Sequence, residues 1–297
     1  MALAIAGGTG HDGAVSAGPA IHIRGLRRTY GTFVAVADVD LDVEHGEVFA
    51  LLGPNGAGKT TTVEILEGYR RRDAGEVTVL GVDPARADRL WRSRIGLVLQ
   101  SGSVADELTV YETVTHFANY YPRPRPSDGV IAAVGLEEKR DARLTTLSGG
   151  QRRRLDVALG LIGDPELLFL DEPTTGFDPE ARRQFWDLIR SLRAGGTTIL
   201  LTTHYLDEAE ALADRVGVLV RGRLVEVASP ALLGGRADSK VHVTWTEPDG
   251  TKREEVTDTP TAVVTELATR FNGEIPDLSV QRSTLDDVYL RMIGANP

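Results

Sequence analysis

The 297-residue chain has no cysteine. That excludes disulfides, thiol nucleophiles, iron–sulfur clusters and cysteine zinc sites together. Lysine is nearly missing too: Lys59, Lys139, Lys240 and Lys252 are the only ones, so most positive charge is arginine. No apolar run approaches the ~18–20 residues that cross a bilayer, and no membrane span is expected. Basic side chains are outnumbered by acidic ones, 33 to 43, for a net charge of −10. That balance argues against wrapping a nucleic-acid backbone, and no nucleic-acid partner is expected. What is present suits a folded chain. With 41% hydrophobic residues it can bury a sizeable core, and its length corresponds to about two average domains.

The first twenty residues, Met1 to Ala20, are rich in Ala, Gly, Ser and Thr. They lack the basic start and apolar centre of a signal peptide and read as a flexible leader. Alternation at Ile21 and Ile23, then at Val39, Leu41 and Val43, predicts strands with turns at Gly25 and Gly31. Continuous apolar runs at Val48–Leu52, Ile95–Leu99, Leu167–Leu170, Thr198–Leu201 and Val216–Val220 predict strands covered on both faces. Helical periodicity lies between the later runs, as in Glu180–Arg193. Alternating strands and helices imply an α/β layer with a largely parallel sheet. Between Ser101 and Gly163 the strand signal gives way to a mainly helical insertion. After Gly234-Gly235 a small α+β unit of roughly sixty residues is expected. It has strands at Val241–Trp245 and Glu254–Thr257, a Pro248-Asp249-Gly250 turn and a helix over Val264–Phe271. A last helix starts at Thr284, capped by Ser283 with Asp286. The organisation read is a leader at 1–20, a main domain at 21–235 with its helical part at about 101–163, and an accessory domain at 236–297.

Three motifs carry chemistry. Gly53, Pro54, Asn55, Gly56, Ala57, Gly58, Lys59 and Thr60 match G-x-x-x-x-G-K-[ST], after a buried strand and before a helix. Glycines let successive N–H groups turn toward phosphate oxygens, and the helix adds its positive end. Lys59 would reach the β- and γ-phosphates, and the Thr60 hydroxyl would ligand Mg²⁺. In Leu167–Glu172, a buried strand delivers two carboxylates at its C-terminal end, where open α/β sheets place ligands. Asp171 suits Mg²⁺ coordination through water, and Glu172 is placed to polarise an attacking water. In Leu147-Ser148-Gly149-Gly150-Gln151, Ser148 caps a helix whose start forms a second anion-seeking terminus. The chain thus has two phosphate-seeking helix ends but one lysine-bearing loop. Arg152-Arg153-Arg154 reads as a solvated or subunit-facing surface.

The loop at 53–60, Gln100, Leu147–Gln151, Asp171-Glu172 and His204 resemble, in order and spacing, an ABC-transporter ATPase subunit over about Ile21–Pro230. The resemblance implies an α/β P-loop NTPase (ABC ATPase) core. To it belong an N-terminal antiparallel β subdomain, a helical subdomain and the small C-terminal α+β accessory unit. It implies two subunits head to tail, paired as a homodimer. Each ATP would lie between one subunit's loop, Gly53 to Thr61, and the other's Ser148, Gly149, Gly150 and Gln151. Tyr30 would stack on adenine. Gln100 would touch Mg²⁺ and the lytic water. His204 would contact the γ-phosphate, and Asp178 would couple the two sites. Phe177 stands where leucine is usual, which keeps the position apolar.

Glu107–Glu112 and Thr284–Leu290 are similar to ATPases of bacterial drug exporters of the daunorubicin-resistance type. That implies a separate transmembrane permease and a place at the cytoplasmic face of a bacterial membrane. The alternative is a soluble non-transport ABC ATPase for DNA maintenance or ribosome work. Relatives of the first kind carry long coiled coils between loop and signature, and those of the second usually join two ATPase halves. Neither feature occurs here.

Overall fold

The computed structural model describes residues 18–98, 107–238, 240–282 and 284–294. Most of the expected leader lies outside them, as do Gln100 and Ser283. Ala20 does not behave as leader: it is fully buried, and its carbonyl accepts the Leu80 N–H at 2.7 Å.

The first strands are β1 (Ile21–Tyr30), β2 (Phe33–Val43) and β3 (Val48–Leu52), followed by helix α1 (Lys59–Leu66). Then come β4 (Ala74–Val79), the single-turn α2 (Arg89–Arg92) and β5 (Ile95–Val98). The helical part contains α3 (Val110–Ala118), α4 (Ser127–Ala133) and α5 (Gly149–Leu161). Alternation resumes with β6 (Leu167–Asp171), α6 (Pro179–Ala194), β7 (Thr198–Thr203), α7 (Leu206–Leu212), β8 (Arg215–Val220) and β9 (Arg223–Ala228). The tail holds β10 (Val241–Thr246), β11 (Lys252–Thr257), α8 (Pro260–Arg270), β12 (Ser279–Arg282) and α9 (Leu285–Ile293).

The central sheet has the order β5-β6-β7-β3-β8-β9, parallel except for β9 against β8. Alternation along its strands feeds two cores. Val48, Ala50 and Leu52 face one with Leu168, Leu170 and the helices; Phe49 and Leu51 face the other with Leu167, Phe169 and the N-terminal strands. Because β6, β7 and β3 are neighbours, three loops leave the same edge side by side. They are the glycine loop after β3, Asp171-Glu172 at the end of β6, and His204 after β7. This adjacency builds the site.

The N-terminal sheet, β2-β1-β4, is antiparallel as expected. Gly31 does turn the chain between β1 and β2. Gly25 does not: it sits inside β1 at φ +60, where the register slips between Ile23 and Leu26, and its N–H donates to Asp40 Oδ1 at 2.6 Å. A bulge uses the same left-handed freedom of glycine as a turn, and sequence alone does not separate the two.

The tail divides. β11-β10-β12 and α8 enclose a small core of Val241, Val243, Trp245, Val263 and Leu267. The helix starts at Pro260 rather than Val264, with proline in the first turn where its missing N–H costs nothing. α9 leaves this unit: Leu285 and Tyr289 join the main core with Leu206, Leu212, Val216 and Val218. Val288 packs so closely on Gly234 that a Cβ there would come within 2.2 Å of it. The accessory unit is therefore, by packing, smaller than the sixty residues expected. The cap of α9 also shifts by one residue, since Thr284 and Asp287 form the reciprocal box.

Candidate functional site

The glycine loop is shaped by close backbone approaches. A Cβ on Gly53 would lie 2.4 Å from the Leu219 carbonyl oxygen, and one on Gly58 2.3 Å from that of Ala35. Gly58 also holds φ +105 and opens α1 without a side-chain cap, so the first amides of the helix are left for an outside acceptor. Lys59 is buried. Its ammonium donates to the Gly53 carbonyl at 2.6 Å and the Pro54 carbonyl at 3.3 Å, inside the loop's own curve. Burial pulls its pKa below the ordinary lysine value, and the negative charges of Glu172 and Asp171 oppose that pull. A cation drawn out of water with only carbonyl partners is poised to exchange them for an anion. Thr60 stands exposed at the helix start, Thr61 is half-buried, and Asn55 and Gly56 lie exposed on the loop.

Thr202, fully buried on β7, organises the two carboxylates. Its hydroxyl donates to Asp171 Oδ1 and accepts the Glu172 N–H at 3.2 Å, while its carbonyl takes the same N–H at 3.1 Å. Glu172 holds φ +44, a left-handed conformation that costs a non-glycine residue on the order of 1–3 kcal/mol and gathers at functional sites. Its carboxylate lies 3.2 Å from His204 Nδ1, and Thr175 Oγ1 approaches its other oxygen at 3.5 Å. The His204 ring leans on Tyr205, 4.1 Å between centroids.

A cavity of about 750 Å³ is lined by Thr60, Glu64, Glu67 and Asp171 among others. Glu67 is the unexpected member. Burial, reinforced by Asp171 and Glu64, raises its pKa from 4.5 to about 8. The sequence offered no signal for it beyond an acid ending an amphipathic helix.

The signature faces a different cavity, about 240 Å³, lined by Ser148, Gly150, Gln151, Asp178 and Ala181 among others. Ser148 Oγ accepts the Gln151 N–H at 3.3 Å, and Gln151 Oε1 accepts the Ser148 N–H at 3.0 Å. Asp178 caps α6, accepting from the Glu180 and Ala181 amides at 3.0 and 2.8 Å. Tyr30, at the end of β1, is 36% exposed, with the Arg28 and Arg70 guanidinium carbons 4.9 and 5.3 Å from its ring centre.

Lys59, Asp171, Glu172 and His204 are thus brought together, and Ser148–Gln151 with Asp178 form a second group. Gln100 lies outside the described residues. The arginine triplet is corrected in part: Arg153 is buried, not a surface residue, and donates to the carbonyls of Asp171 and Pro173. Thr202 and Arg153 were missed as site residues. A polar residue ending an apolar strand was the available signal for the first; nothing in a run of three arginines marks the second.

Residues 36–175 match the family model for the ABC transporter domain. The daunorubicin resistance ATP-binding protein DrrA2 of Streptomyces coeruleorubidus is 39% identical over 310 aligned positions, covering 93% of this chain and 96% of that one. This chain belongs to the ATP-binding subunits of ABC transporters. Nod factor export ATP-binding protein I of Mesorhizobium japonicum is 46% identical over 220 positions, 72% of this ABC subunit and 64% of that relative. Among solved structures, an ATP-binding subunit of an ABC transporter superposes with a TM-score of 0.65 at 25% identity, covering 72% of this chain and 91% of that one. CbiO1 from Clostridium perfringens, part of the ABC transporter complex CbiONQ, gives 0.65 at 26%, with 72% and 90% covered. The ABC subunit is an ATPase of the α/β P-loop type. No helix among its described residues is long and apolar enough to cross a membrane.

Proposed function

We propose that this subunit energises a separate transmembrane permease for export of a small molecule, working as a pair at the cytoplasmic face of a bacterial membrane. The similarity to DrrA2, which runs nearly the whole length of both chains, supports the exporter reading. The pairing rests on one observation: Thr60, which closes the lysine loop, lines one cavity, while Ser148, Gly150 and Gln151 line another. Each ATP then needs the loop of one protomer, from Gly53 to Thr61, and Ser148–Gln151 of the other.

Within one site Lys59 exchanges its loop carbonyls for phosphate oxygens, joined by the free amides of α1. Tyr30 offers its ring to adenine. Glu172 orients and polarises the attacking water, and His204 holds the carboxylate and meets the γ-phosphate. Asp178, fixed as the cap of α6 beside the signature, carries coupling between the two sites. Mg²⁺ fits the donor set: Thr60 hydroxyl and Asp171 carboxylate line one cavity as hard oxygen donors. Among the described residues no group of three or more acidic, His or Cys side chains could hold a metal ion. Thr60, Asp171 through water, and Gln100 would hold it, and it would neutralise phosphate charge.

The test is Glu172→Gln. ATP binding should persist while turnover falls by about 10²–10⁴, the range of general-base catalysis, and a closed ATP-bound dimer should accumulate in gel filtration. Unchanged hydrolysis would remove Glu172 from that role.

A further inference from the structure

The mechanism leaves one buried cation unused. Arg153 lies on α5, just past the signature, with 8% of its surface exposed. Its Nε–H donates to the Pro173 carbonyl at 3.0 Å and its Nη2 to the Asp171 carbonyl at 2.9 Å, while Nη1 faces Asp156 at 3.8 Å. One guanidinium therefore grips the carbonyls on both sides of Glu172, and Thr202 grips the Glu172 N–H. Held at three points, the peptide keeps the left-handed conformation that Glu172 would otherwise leave. The fork is rigid and planar, so it ties the orientation of this turn to the position of α5.

We infer that Arg153 is a positioning residue for Glu172, through which engagement of the signature end of α5 is transmitted to the carboxylate of the same protomer. The inference rests on the proposed roles of Glu172 and the signature. Its physical content is narrower: α5 and the catalytic turn move as one body because a buried arginine bridges them. If the guanidinium served stability alone, a well-packed neutral replacement would leave the chemistry unaffected, since buried ion pairs are weak sources of net stability. The polar setting behind the turn fits a built device. Glu208 on α7 is fully buried beside Thr174 and Thr203, and its negative charge reaches the Arg153 guanidinium.

The experiment uses the full chain with R153Q, R153K, E172Q and the E172Q/R153Q double variant. For R153Q, kcat should fall about ten-fold or more while KM for ATP stays within about two-fold, the pattern of an interaction felt only in the transition state. R153K should recover little of the loss, because an ammonium cannot fork between two carbonyls; it also serves as the readout if R153Q does not fold. The double variant should still form the ATP-trapped dimer as E172Q does, because Arg153 acts on Glu172 and not on nucleotide docking. Wild-type kcat in R153Q or R153K would overturn the inference, as would loss of the trapped dimer in the double variant. Unchanged hydrolysis in E172Q alone would instead overturn the role of Glu172, so the two failures are distinguishable.

Discussion

The two helix ends that seek phosphate are built in opposite ways. At α1 the loop leaves its amides uncapped and buries a lysine against its own carbonyls. At α5 a serine–glutamine box closes the end on itself, and the Leu147–Gln151 motif holds no lysine. The first end is prepared to seize an anion alone. The second is finished as a protein surface and gains a ligand only when one is presented to it. The difference fits the proposed pairing, in which one protomer brings a binding half and an answering half and not two sites.

Substitutions should separate the halves. Lys59→Ala strikes the seizing half and should lower nucleotide affinity and hydrolysis together, hydrolysis by about 10²–10³ as for loss of a preorganised charge donor. Calorimetric titration with ATP checks it; normal affinity would contradict the contacts assigned to the ammonium. Tyr30→Ala acts on the same half more gently, raising the ATP Kd by about 5–100-fold on the scale of base–aromatic stacking, with kcat little changed.

Removing the tail probes whether it belongs to either half. The sequence suggests that deleting residues 236–297 spares ATP binding. With Leu285 and Tyr289 inside the main core, that deletion opens a cavity of the kind that costs about 2–5 kcal/mol per large side chain. A deletion that ends before α9, removing 240–282 alone and joining the ends by a short linker, should keep the melting temperature closer to that of the intact chain.

Glu67 gives the smallest and most conditional effect. Its pKa is raised from 4.5 to about 8, so the folded state holds a proton that the unfolded state releases above pH 4.5. The stability this proton confers is fully present below about 4.5 and lost as pH rises through about 8. Glu67→Gln should therefore melt above wild type at pH 8, and the gap should shrink toward pH 5. A constant gap would place the effect elsewhere.

The parallel sheet and its catalytic edge were legible because buried strands read as unbroken apolar runs, and because the loop, Asp171-Glu172 and Ser148–Gln151 are local patterns. β4, β9 and β12 were not, since their short runs are interrupted by charged or polar residues that face solvent at a sheet edge. Contacts across the chain were not legible either. Thr202 meets Glu172 across thirty residues, Arg153 spans two elements, and α9 bypasses the tail sheet. Such pairings depend on strand order, which no local window contains.

The central claim is that loop and signature of one working site come from different protomers. Mixing Lys59→Ala with Ser148→Arg subunits tests it most directly, because each alone should be inactive while a mixed pair holds one intact site. ATPase activity should return to about a quarter of wild type if pairing is random and the sites are independent. Activity no greater than the sum of the two parents, with mixed pairs present by mass spectrometry, would contradict it.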